Sequence, residues 1–492
     1  MTVNSKKHNV SPIHQQAICQ AEAPAYLFNG AAVSYQTLSQ QVIALAQQFT
    51  ELGLKPGDRL ACISHNCPQL LQLYWACVDT GVLFCPISPR FATQQIVELT
   101  VTHQYRYYWL VPSVAEQYAE LNIALKSQQT LTQVNFDFHA LSESKAALVN
   151  LDTAVNAILT SGSSGTPKAA AHSLANHIAS AAGSKELIKL SAEDSWLLSL
   201  PLFHIGGLAI ANRCALAGAC VVFEDKNLAL AQQLNRDCIT HLSLVSAQLQ
   251  QLLHCAEKDE SEESEEDDCL AQVKAMLLGG GAISADLLAE LSTRDIKAYT
   301  SYGMTEMGSQ ITTGTARTDG SSGKLLSGRE LKIIDGEIWL KGECLFLGYL
   351  AKDGFNLPLH KNGWFYTKDL GHFDANGNLC IDGRADNMFI SGGENIQPEE
   401  IEAALKLHPQ ISDAIVFPVN DTQFGTLPAA IIKLLNTSNN NQEALPPEAE
   451  LTAFLADKIA RFKRPRCYYP WPEVSSAGIK VIRKKVIEAV KA

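Results

Sequence analysis

Short apolar runs alternate with helix-like stretches from about Tyr35 to Leu110, and again from Ala154 to Ser301. Trp196–Leu200, Cys220–Phe223 and Leu242–Val245 have the length and apolar content of buried strands, whereas Pro68–Thr80 follows a helical pattern. Repeated alternation of strand and helix predicts a largely parallel sheet that helices cover on both faces. The expected fold class is therefore α/β.

The pattern changes after Gly314, where short strands and turns follow one another closely. Leu331–Ile334 and Glu337–Lys341 are typical of these strands, and they predict a small antiparallel or barrel-like subdomain. Beyond it, a helix at Pro398–Leu407 and the strands that follow indicate a compact α+β unit. We therefore expect a large N-terminal domain at 1–383 that includes the β-rich subdomain at 314–383, a hinge at 384–387, and a mobile C-terminal domain at 388–492.

Composition places the chain among large globular proteins of more than one domain. It has 492 residues, of which 46% are hydrophobic and 18% charged. The first 16 residues lack the apolar core of a secretory signal, and Asn212 and Arg213 interrupt the longest apolar stretch, so neither secretion nor integral membrane association is expected. Thirteen cysteines without paired spacing suit a reducing, cytoplasmic location.

Charge is distributed unevenly along the chain. The formal net charge is −12, and residues 257–268 alone hold nine acidic residues and one lysine. Such a run is typical of a solvated loop rather than of a site. Residues 458–491 hold ten basic residues against two acidic ones, and this local patch suits a small polyanion better than nucleic acid. Neither run determines the oligomeric state, and a homo-oligomer stays open.

A segment rich in hydroxyls and glycines follows the strand-like run Ala154–Leu159 and has the chemistry of a phosphate-binding loop. Glycines let backbone N–H groups turn toward an anion, Ser and Thr add donors, and Lys168 adds a positive charge. The helical pattern at about His172–Ala182 would aim its positive dipole end at the same region. A flexible Gly/Ser linker is the alternative, and the spacing excludes a Walker loop. The candidate phosphate-binding residues are Thr160, Ser161, Gly162, Ser163, Ser164, Gly165, Thr166 and Lys168.

Several further segments occur in the order and approximate spacing of one known superfamily. With this loop included, the chain resembles the adenylate-forming acyl-CoA synthetase superfamily over nearly its whole length. The resemblance implies that ATP and Mg2+ activate a carboxylic acid as an acyl-adenylate, after which coenzyme A takes up the acyl group. The segments that carry it, besides Thr160–Lys168, are Pro201–Gly207, Gly279–Ala282, Ser301–Glu306, Gly363–Asp369, Gly383–Asp386 and Ser391–Asn395.

The resemblance also implies roles for individual residues of the large domain. Glu306 matches the Mg2+ carboxylate, and Thr305 would contact phosphate. Asp369 would accept both ribose hydroxyls, which suits a two-oxygen acceptor, and Arg384 would pair with ribose or phosphate. Without the resemblance, a surface glutamate, a turn aspartate and a boundary salt bridge remain the alternatives.

Two further sites are implied for the adenine and the acyl group. Glycines let a flat base approach the backbone, and an aromatic ring offers a stacking face. The expected adenine slot is Gly279–Ala282, including Gly280 and Gly281, with Tyr302 nearby, and Ser301 and Gly303 are further candidates for nucleotide contact. His204 would gate the acyl pocket, although a histidine between apolar neighbours is more often a core residue.

The C-terminal part carries the residues implied for thioester formation. Asp386 matches the hinge, and Gly392 and Gly393 would line the tunnel for the pantetheine arm of coenzyme A. Lys480 is expected to be the catalytic lysine. The superfamily places a glycine directly before that lysine, whereas Ile479 intervenes here, so Lys484 and Lys485 stay as weaker alternatives. The basic residues Lys463, Arg464 and Arg466 would meet the phosphates of coenzyme A.

The segments Gly478–Lys480 and Asp386–Glu400 are similar to the branch of the superfamily whose acid is 2-succinylbenzoate, a step of menaquinone synthesis. This aromatic keto-dicarboxylate requires an apolar pocket and a group for the carboxylate that does not react. Arg213 interrupts an apolar run and would need an anionic partner if buried, and Ser309 and Gly303 are further candidates for substrate contact. Three alternatives remain. The substrate could be another aromatic or medium-chain acid, the acyl group could be loaded onto a carrier protein, or the protein could be a nucleotide-binding regulator without turnover.

Overall fold

The structure is a computed structural model. It describes residues 8–160, 167–245, 248–250, 252–253, 269–279, 283, 285–391, 394–421, 425–435, 445–456, 458–459, 461–473 and 483–491. Every structural statement below concerns these residues.

The chain forms two compact units. The first comprises Met1–Thr318, Ser322–Glu330 and Lys341–Leu359, and the second comprises Asp319–Ser321, Leu331–Leu340 and His360–Ala492. Part of the β-rich region therefore packs with the C-terminal residues. Packing and hinge motion are different properties, so the domain boundaries and the hinge at 384–387 stay predictions.

The strands are short and occur throughout both units. In chain order they are β1 His8–Asn9, β2 Pro24–Phe28, β3 Ala31–Ser34, β4 Arg59–Ile63, β5 Leu83–Ile87, β6 Tyr107–Leu110, β7 Thr132–Gln133, β8 Val149–Asn150, β9 Ala154–Thr160, β10 Lys168–Ser173, β11 Ser195–Leu198, β12 Cys220–Phe223, β13 His241–Val245, β14 Ala275–Gly279, β15 Lys297–Met304, β16 Ser309–Thr315, β17 Lys324–Leu325, β18 Arg329–Ile334, β19 Glu337–Gly342, β20 Gly348–Leu350, β21 Phe355–Asn356, β22 Phe365–Phe373, β23 Leu379–Arg384, β24 Phe389–Ser391, β25 Glu394–Ile396, β26 Ile411–Asp421, β27 Gly425–Leu434 and β28 Tyr468–Pro470.

The α-helices lie mostly between strands of the first unit. They are α1 Pro12–Cys19, α2 Tyr35–Glu51, α3 Pro68–Thr80, α4 Thr93–Thr102, α5 Pro112–Gln117, α6 Ala119–Lys126, α7 Leu174–Ile188, α8 Ile205–Ala217, α9 Leu230–Arg236, α10 Ala285–Thr293, α11 Pro398–Lys406, α12 Glu448–Phe454 and α13 Arg483–Lys491. Among the described helices, none is long and apolar enough to cross a bilayer.

The first unit contains two large sheets with parallel centres, besides the two-stranded antiparallel sheet of β1 and β8. One has the strand order β17-β16-β15-β14-β13-β11-β12-β2-β3 and the other β21-β20-β10-β9-β5-β4-β6-β7. In the first sheet the neighbours in the order β15-β14-β13-β11-β12-β2 pair in parallel. In the second sheet the neighbours in the order β9-β5-β4-β6-β7 pair in parallel. The predicted α/β fold with covered, largely parallel sheets is confirmed.

The core of the first unit lies on both faces of each sheet. The largest apolar cluster joins one face of each sheet to α2, α3 and α8, and it contains the fully buried Trp75 and Trp196. Two more clusters cover the outer faces with α9 and α10 on one sheet and α4 and α6 on the other. Parallel strands require apolar cover on both faces, and ligands of open α/β sheets bind outside the carboxyl ends of the strands.

One predicted helix boundary is wrong in a way that changes the site. The helix expected from about His172 begins at Leu174, where the Ser173 hydroxyl and the Asn176 side chain form a capping box. Residues 168–173 form β10, which pairs antiparallel with β9. At about 3.3 Å per residue, this strand separates the helix N-terminus from the phosphate loop by roughly 20 Å. The dipole of α7 therefore does not act on that loop.

The second unit contains antiparallel sheets and a small helical cover. Its four-stranded sheet has the order β18-β19-β22-β23, and the three-stranded sheet β26-β27-β28 packs with α11 and α12. The long β26–β27 pair runs from Ile411 opposite Leu434 to Asp421 opposite Gly425, with one register shift between Ile411 and Asp413. The helix predicted at Pro398–Leu407 is confirmed as α11, which ends at Lys406.

Candidate active site

The predicted phosphate loop connects β9 to β10, and its two ends lie side by side in the β9–β10 hairpin. Lys168 of β10 lies opposite Thr160 of β9, and the Thr160 hydroxyl donates to the Lys168 carbonyl oxygen at 3.3 Å. The remaining predicted members lie outside the described residues; they are Ser161, Gly162, Ser163, Ser164, Gly165 and Thr166. A hairpin fixes the spacing of the loop ends, so Lys168 is held beside the segment expected to bind phosphate.

The predicted metal carboxylate lies where β15 leaves its sheet. Thr305–Met307 form a short 3-10 helix after β15, and the Glu306 side chain is buried at 7% exposure. Its Oε1 accepts a hydrogen bond from the hydroxyl of Tyr349 at 2.6 Å. The Tyr349 ring also lies 4.9 Å below the Lys168 ammonium. Tyr349 therefore links Lys168 to Glu306.

The donor set around Glu306 suits Mg2+ that arrives with a nucleotide. Among the described residues, no group of three or more His, Cys, Asp or Glu side chains could hold a metal ion. Mg2+ commonly takes one or two carboxylates and completes its shell with phosphate oxygens and water. One buried carboxylate, linked through Tyr349 to the hairpin that is predicted to bind phosphate, fits that requirement.

A buried polar relay supports Thr305 from behind. The Nε2 of His172 donates to the Thr305 carbonyl oxygen at 2.7 Å, and the Asn156 amide contacts Nδ1 of His172 at 3.1 Å. The Nε2 of His177 in turn contacts Oδ1 of Asn156 at 2.6 Å. Because a carbonyl only accepts, one set of neutral histidine tautomers satisfies the whole chain. The relay links β9, β10 and α7 to the loop that carries Glu306.

Burial governs the titration of both histidines in this relay. Desolvation lowers the pKa of His172 to about 4, and the hydrogen bond to the Thr305 carbonyl opposes that shift. Desolvation also lowers the pKa of His177 well below its usual value, and His172 adds to this effect. Both rings are therefore neutral at physiological pH, as their hydrogen bonds require.

The segment from Ser301 to Ser309 folds back on itself as a tight hairpin. Ser301 lies opposite Thr313, and the register shifts between Tyr302 and Gly303. A Cβ at Gly303 would collide with the carbonyl oxygen of Ser309, so this close approach requires glycine. Ser309 itself has φ of 118°, a strained value of the kind that clusters at functional sites.

The residues expected around adenine are described only in part. Gly280 and Gly281 lie outside the described residues. Tyr302 is 9% exposed and lies near the carboxyl end of β15, which is the end of the parallel strands where nucleotides bind in α/β folds. The adenine assignment stays a prediction.

Arg213 of α8 is a buried cation with neutral partners. Its Nη2 donates to Oε1 of Gln310 at 2.6 Å, its Nε donates to Ser184 at 3.2 Å, and its guanidinium lies 5.6 Å from the Trp196 ring. Burial, and then the charge of Arg329, lower the pKa of Arg213 to about 10, so it stays charged at neutral pH. In the described part of the chain, no carboxylate pairs with it.

A cavity of about 550 Å3 adjoins Arg213 between α7 and α8. Its walls are mainly apolar, with Ile178, Ile188 and Leu216 among them, and Lys185 adds a second cation. Gly303, Ser309 and His204 do not line this cavity. Gln310, which follows Ser309 in β16, contacts Arg213 directly, so Arg213 is tied to the strand that carries Ser309.

His204 immediately precedes α8 as its N-cap. Its ring packs edge to face on Phe203 with centroids 4.9 Å apart. The backbone carbonyl of His204 accepts from Gly207 and Leu208, which begins the helix. The position is compatible with the predicted acyl gate, and that role stays a prediction.

In the second unit the predicted ribose residue lies in a hairpin with Arg384. Asp369 of β22 pairs with Arg384 of β23, and Nη1 of Arg384 donates to Oδ1 of Asp369 at 2.9 Å. The Nε of Arg384 donates to Asp386 at 2.9 Å. Lys368 has φ of 65°, which turns the strand directly before Asp369. Arg384 therefore links the predicted ribose and hinge residues.

The residues predicted for thioester formation are mostly outside the described part of the chain. Gly392, Gly393 and Lys480 lie there. Lys463 forms an ion pair with Glu400 at 2.6 Å, and Arg464 donates to the carbonyl oxygens of Ala456 and Ile459. These two contacts stabilise the unit itself, and a role toward coenzyme A stays a prediction.

Two regions of the chain match known protein families. Residues 13–350 match the AMP-binding enzyme family, and residues 400–476 match the AMP-binding enzyme C-terminal domain. The chain belongs to the AMP-binding enzyme family. This membership confirms the resemblance that the sequence segments indicated.

Individual relatives within the AMP-binding enzyme family cover nearly the whole chain. The 2-succinylbenzoate–CoA ligase of Salmonella typhimurium is 33% identical over 94% of both chains. The ligase of the same name from Haemophilus influenzae is 34% identical over 93% of this chain and 92% of its own.

Solved structures of the AMP-binding enzyme family agree with the fold. A variant of Escherichia coli MenE with bound OSB-AMS has a TM-score of 0.81 at 30% identity and covers 99% of both chains. The o-succinylbenzoate coenzyme A synthetase of Bacillus subtilis in complex with ATP and magnesium has a TM-score of 0.82 at 26% identity, with 98% of this chain and 100% of that chain covered.

Several site residues escaped the sequence analysis. Tyr349 is 43 residues from Glu306 and gives no local signal. Asn156 could have been found, because a polar residue within the apolar strand Ala154–Thr160 must have hydrogen-bond partners when buried. His172 and His177 lie in or next to a segment with a helical pattern, and that pattern does not distinguish them from other helix residues. Gln310 gives no local signal.

Proposed function

We propose that this protein is an AMP-forming ligase that activates 2-succinylbenzoate with ATP and transfers the acyl group to coenzyme A. The nucleotide half of the reaction is supported by the placement of Lys168 and Glu306 around Tyr349. The substrate is supported by relatives named 2-succinylbenzoate–CoA ligase that are 33% identical over 94–96% of the chain. Arg213 is the observation that carries the choice of a dicarboxylate.

The first half-reaction brings two anions together and releases pyrophosphate. A carboxylate oxygen attacks the α-phosphorus of ATP, so the site must supply positive charge and fixed donors rather than an acid–base pair. Lys168 supplies one such charge beside the hairpin loop. Mg2+, which Glu306 would hold, neutralises further phosphate charge when bound. Lys480 is proposed to add a cation at this stage.

Arg213 would orient the acid through the carboxylate that does not react. A buried guanidinium with neutral partners keeps its charge available, and an anion would supply the compensation that burial demands. Apolar side chains of α7 and α8 beside it suit an aromatic ring. A simple monocarboxylic acid would leave this cation without that partner.

The second half-reaction transfers the acyl group to sulfur. The thiol of coenzyme A attacks the carbonyl carbon of the acyl-adenylate, and AMP leaves. We propose that the C-terminal residues turn about Asp386 between the two steps, and that Gly392 and Gly393 admit the pantetheine arm. The reaction is proposed to take place in the cytoplasm as a step of menaquinone synthesis.

The test is thioester formation by purified protein from 2-succinylbenzoate, ATP, Mg2+ and coenzyme A, followed by mass spectrometry. Isotope exchange between pyrophosphate and ATP should depend on the added acid. Faster exchange with another aromatic or medium-chain acid would refute the substrate assignment. No exchange with any acid, despite ATP binding, would favour a regulator without turnover.

A further inference from the structure

Tyr349 lies in a segment that is hydrogen-bonded both to β10 and to the 3-10 helix that carries Glu306. In β20 it lies opposite Ala170 of β10, two residues from Lys168. The preceding residues are held on both sides, because the Phe346 amide donates to the Glu306 carbonyl at 2.8 Å and the Leu347 amide donates to the Ala171 carbonyl at 2.9 Å. The position of the tyrosine is therefore fixed relative to both charged groups.

Each part of the Tyr349 side chain contacts a different charge. The hydroxyl donates to Oε1 of Glu306 at 2.6 Å, and the ring faces the Lys168 ammonium at 4.9 Å. The Phe346 ring packs against the tyrosine ring at 4.9 Å and 70°, which restricts its rotation. In the described part of the chain, Lys168 and Glu306 form no ion pair with each other.

This arrangement orients both charges without neutralising them. A direct lysine–glutamate pair would have to break before either group could bind Mg-ATP. A phenol is neutral, so it fixes the carboxylate and still leaves its negative charge for a cation. An aromatic face likewise attracts an ammonium while leaving it free to donate to phosphate.

We propose that Tyr349 is a positioning residue for adenylation, which holds Glu306 ready for the cation that accompanies ATP and holds Lys168 ready for phosphate. This inference rests on the proposed function. Hydrogen bonds to a metal-binding carboxylate commonly change metal affinity or activity by about 10- to 100-fold when removed. The cation–π contact is weaker, and its loss corresponds to about a two- to fivefold change.

The experiment measures binding of a non-hydrolysable ATP analogue by calorimetry, with and without Mg2+, in the full-length protein. Tyr349→Phe retains the ring and removes the hydroxyl, so the gain in affinity that Mg2+ provides should fall by about 10-fold or more. Tyr349→Leu removes both contacts, so it should also weaken binding without Mg2+ by about two- to fivefold. Circular dichroism and thermal melting check that each variant is folded.

Tyr108→Phe is the matched control. Its hydroxyl donates to Oε1 of Gln133 at 3.2 Å at the other end of the same sheet, so the variant loses a tyrosine hydroxyl with no link to Lys168 or Glu306. Its Mg2+-dependent gain should equal that of the unaltered protein.

Half-saturation by Mg2+ in acid-dependent pyrophosphate–ATP exchange gives a second readout. It should rise in Tyr349→Phe while the KM for the acid at saturating Mg2+ stays constant. An unchanged Mg2+-dependent gain in Tyr349→Phe, or equal weakening with and without Mg2+, would overturn the assignment of the hydroxyl. Failure of the unaltered protein to bind the analogue would refute the proposed function instead.

Discussion

Replacement of Arg213 by methionine tests whether this side chain binds the second carboxylate of the substrate. Methionine fills much of the volume and removes the charge. The guanidinium donates to Gln310 and Ser184, so the variant also leaves Oε1 of Gln310 without this donor. That internal loss should lower the free energy of unfolding by about 1–3 kcal/mol.

The effect on the substrate has a different size and a different selectivity. A hydrogen bond to a charged group contributes about 1.5–3 kcal/mol, which corresponds to roughly 10- to 150-fold in binding. We expect kcat/KM for 2-succinylbenzoate to fall by that factor in Arg213→Met. The KM for ATP should change much less, because the nucleotide residues lie on other elements.

The decisive assay compares the activity of each protein with two acids. One is 2-succinylbenzoate, and the other is the same aromatic keto acid without the carboxylate that does not react. The unaltered protein should prefer the dicarboxylate, and Arg213→Met should lose most of that preference. Thermal melting of both proteins accounts for the structural cost.

Retention of the preference in Arg213→Met would refute the reasoning. Equal increases in the KM for ATP and for the acid would have the same meaning. Arg213 would then act only by holding Gln310 and the strand that carries Ser309.

Two further predictions concern the residues behind the reaction site. In the unfolded chain His172 binds a proton below about pH 6.5, whereas burial lowers its pKa in the folded protein to about 4. The free energy of unfolding should therefore be highest above pH 6.5 and fall by about 3 kcal/mol as the pH drops to 4. Urea unfolding at pH 7.5 and 5 measures this, and His172→Gln should show a shallower pH dependence; identical slopes would contradict the assignment. Gly303→Ala should push the Ser309 carbonyl away and cost about 1–3 kcal/mol of stability. Thermal melting and acid-dependent exchange should both report that loss, and unaltered values in both would show that the hairpin accommodates a methyl group.

The sequence by itself determined the fold class and most of the element positions. Buried strands such as Cys220–Phe223 and helices such as Pro68–Thr80 were predicted at their observed bounds, because apolar periodicity reports burial directly. The family also followed from ordered local segments, since the residues of each segment lie close together in the chain and can be recognised without the tertiary structure.

Tertiary structure decided how these segments meet. The helix predicted from about His172 begins only at Leu174. Residues 168–173 form a strand instead, because β9 and β20 offer them hydrogen-bonding partners on both edges. That pairing places Tyr349 between Lys168 and Glu306, residues that are far apart in the chain. Likewise, the neutral partners of Arg213 come from α7 and β16. Contacts between distant segments depend on sheet order and register, and local patterns carry no information about either.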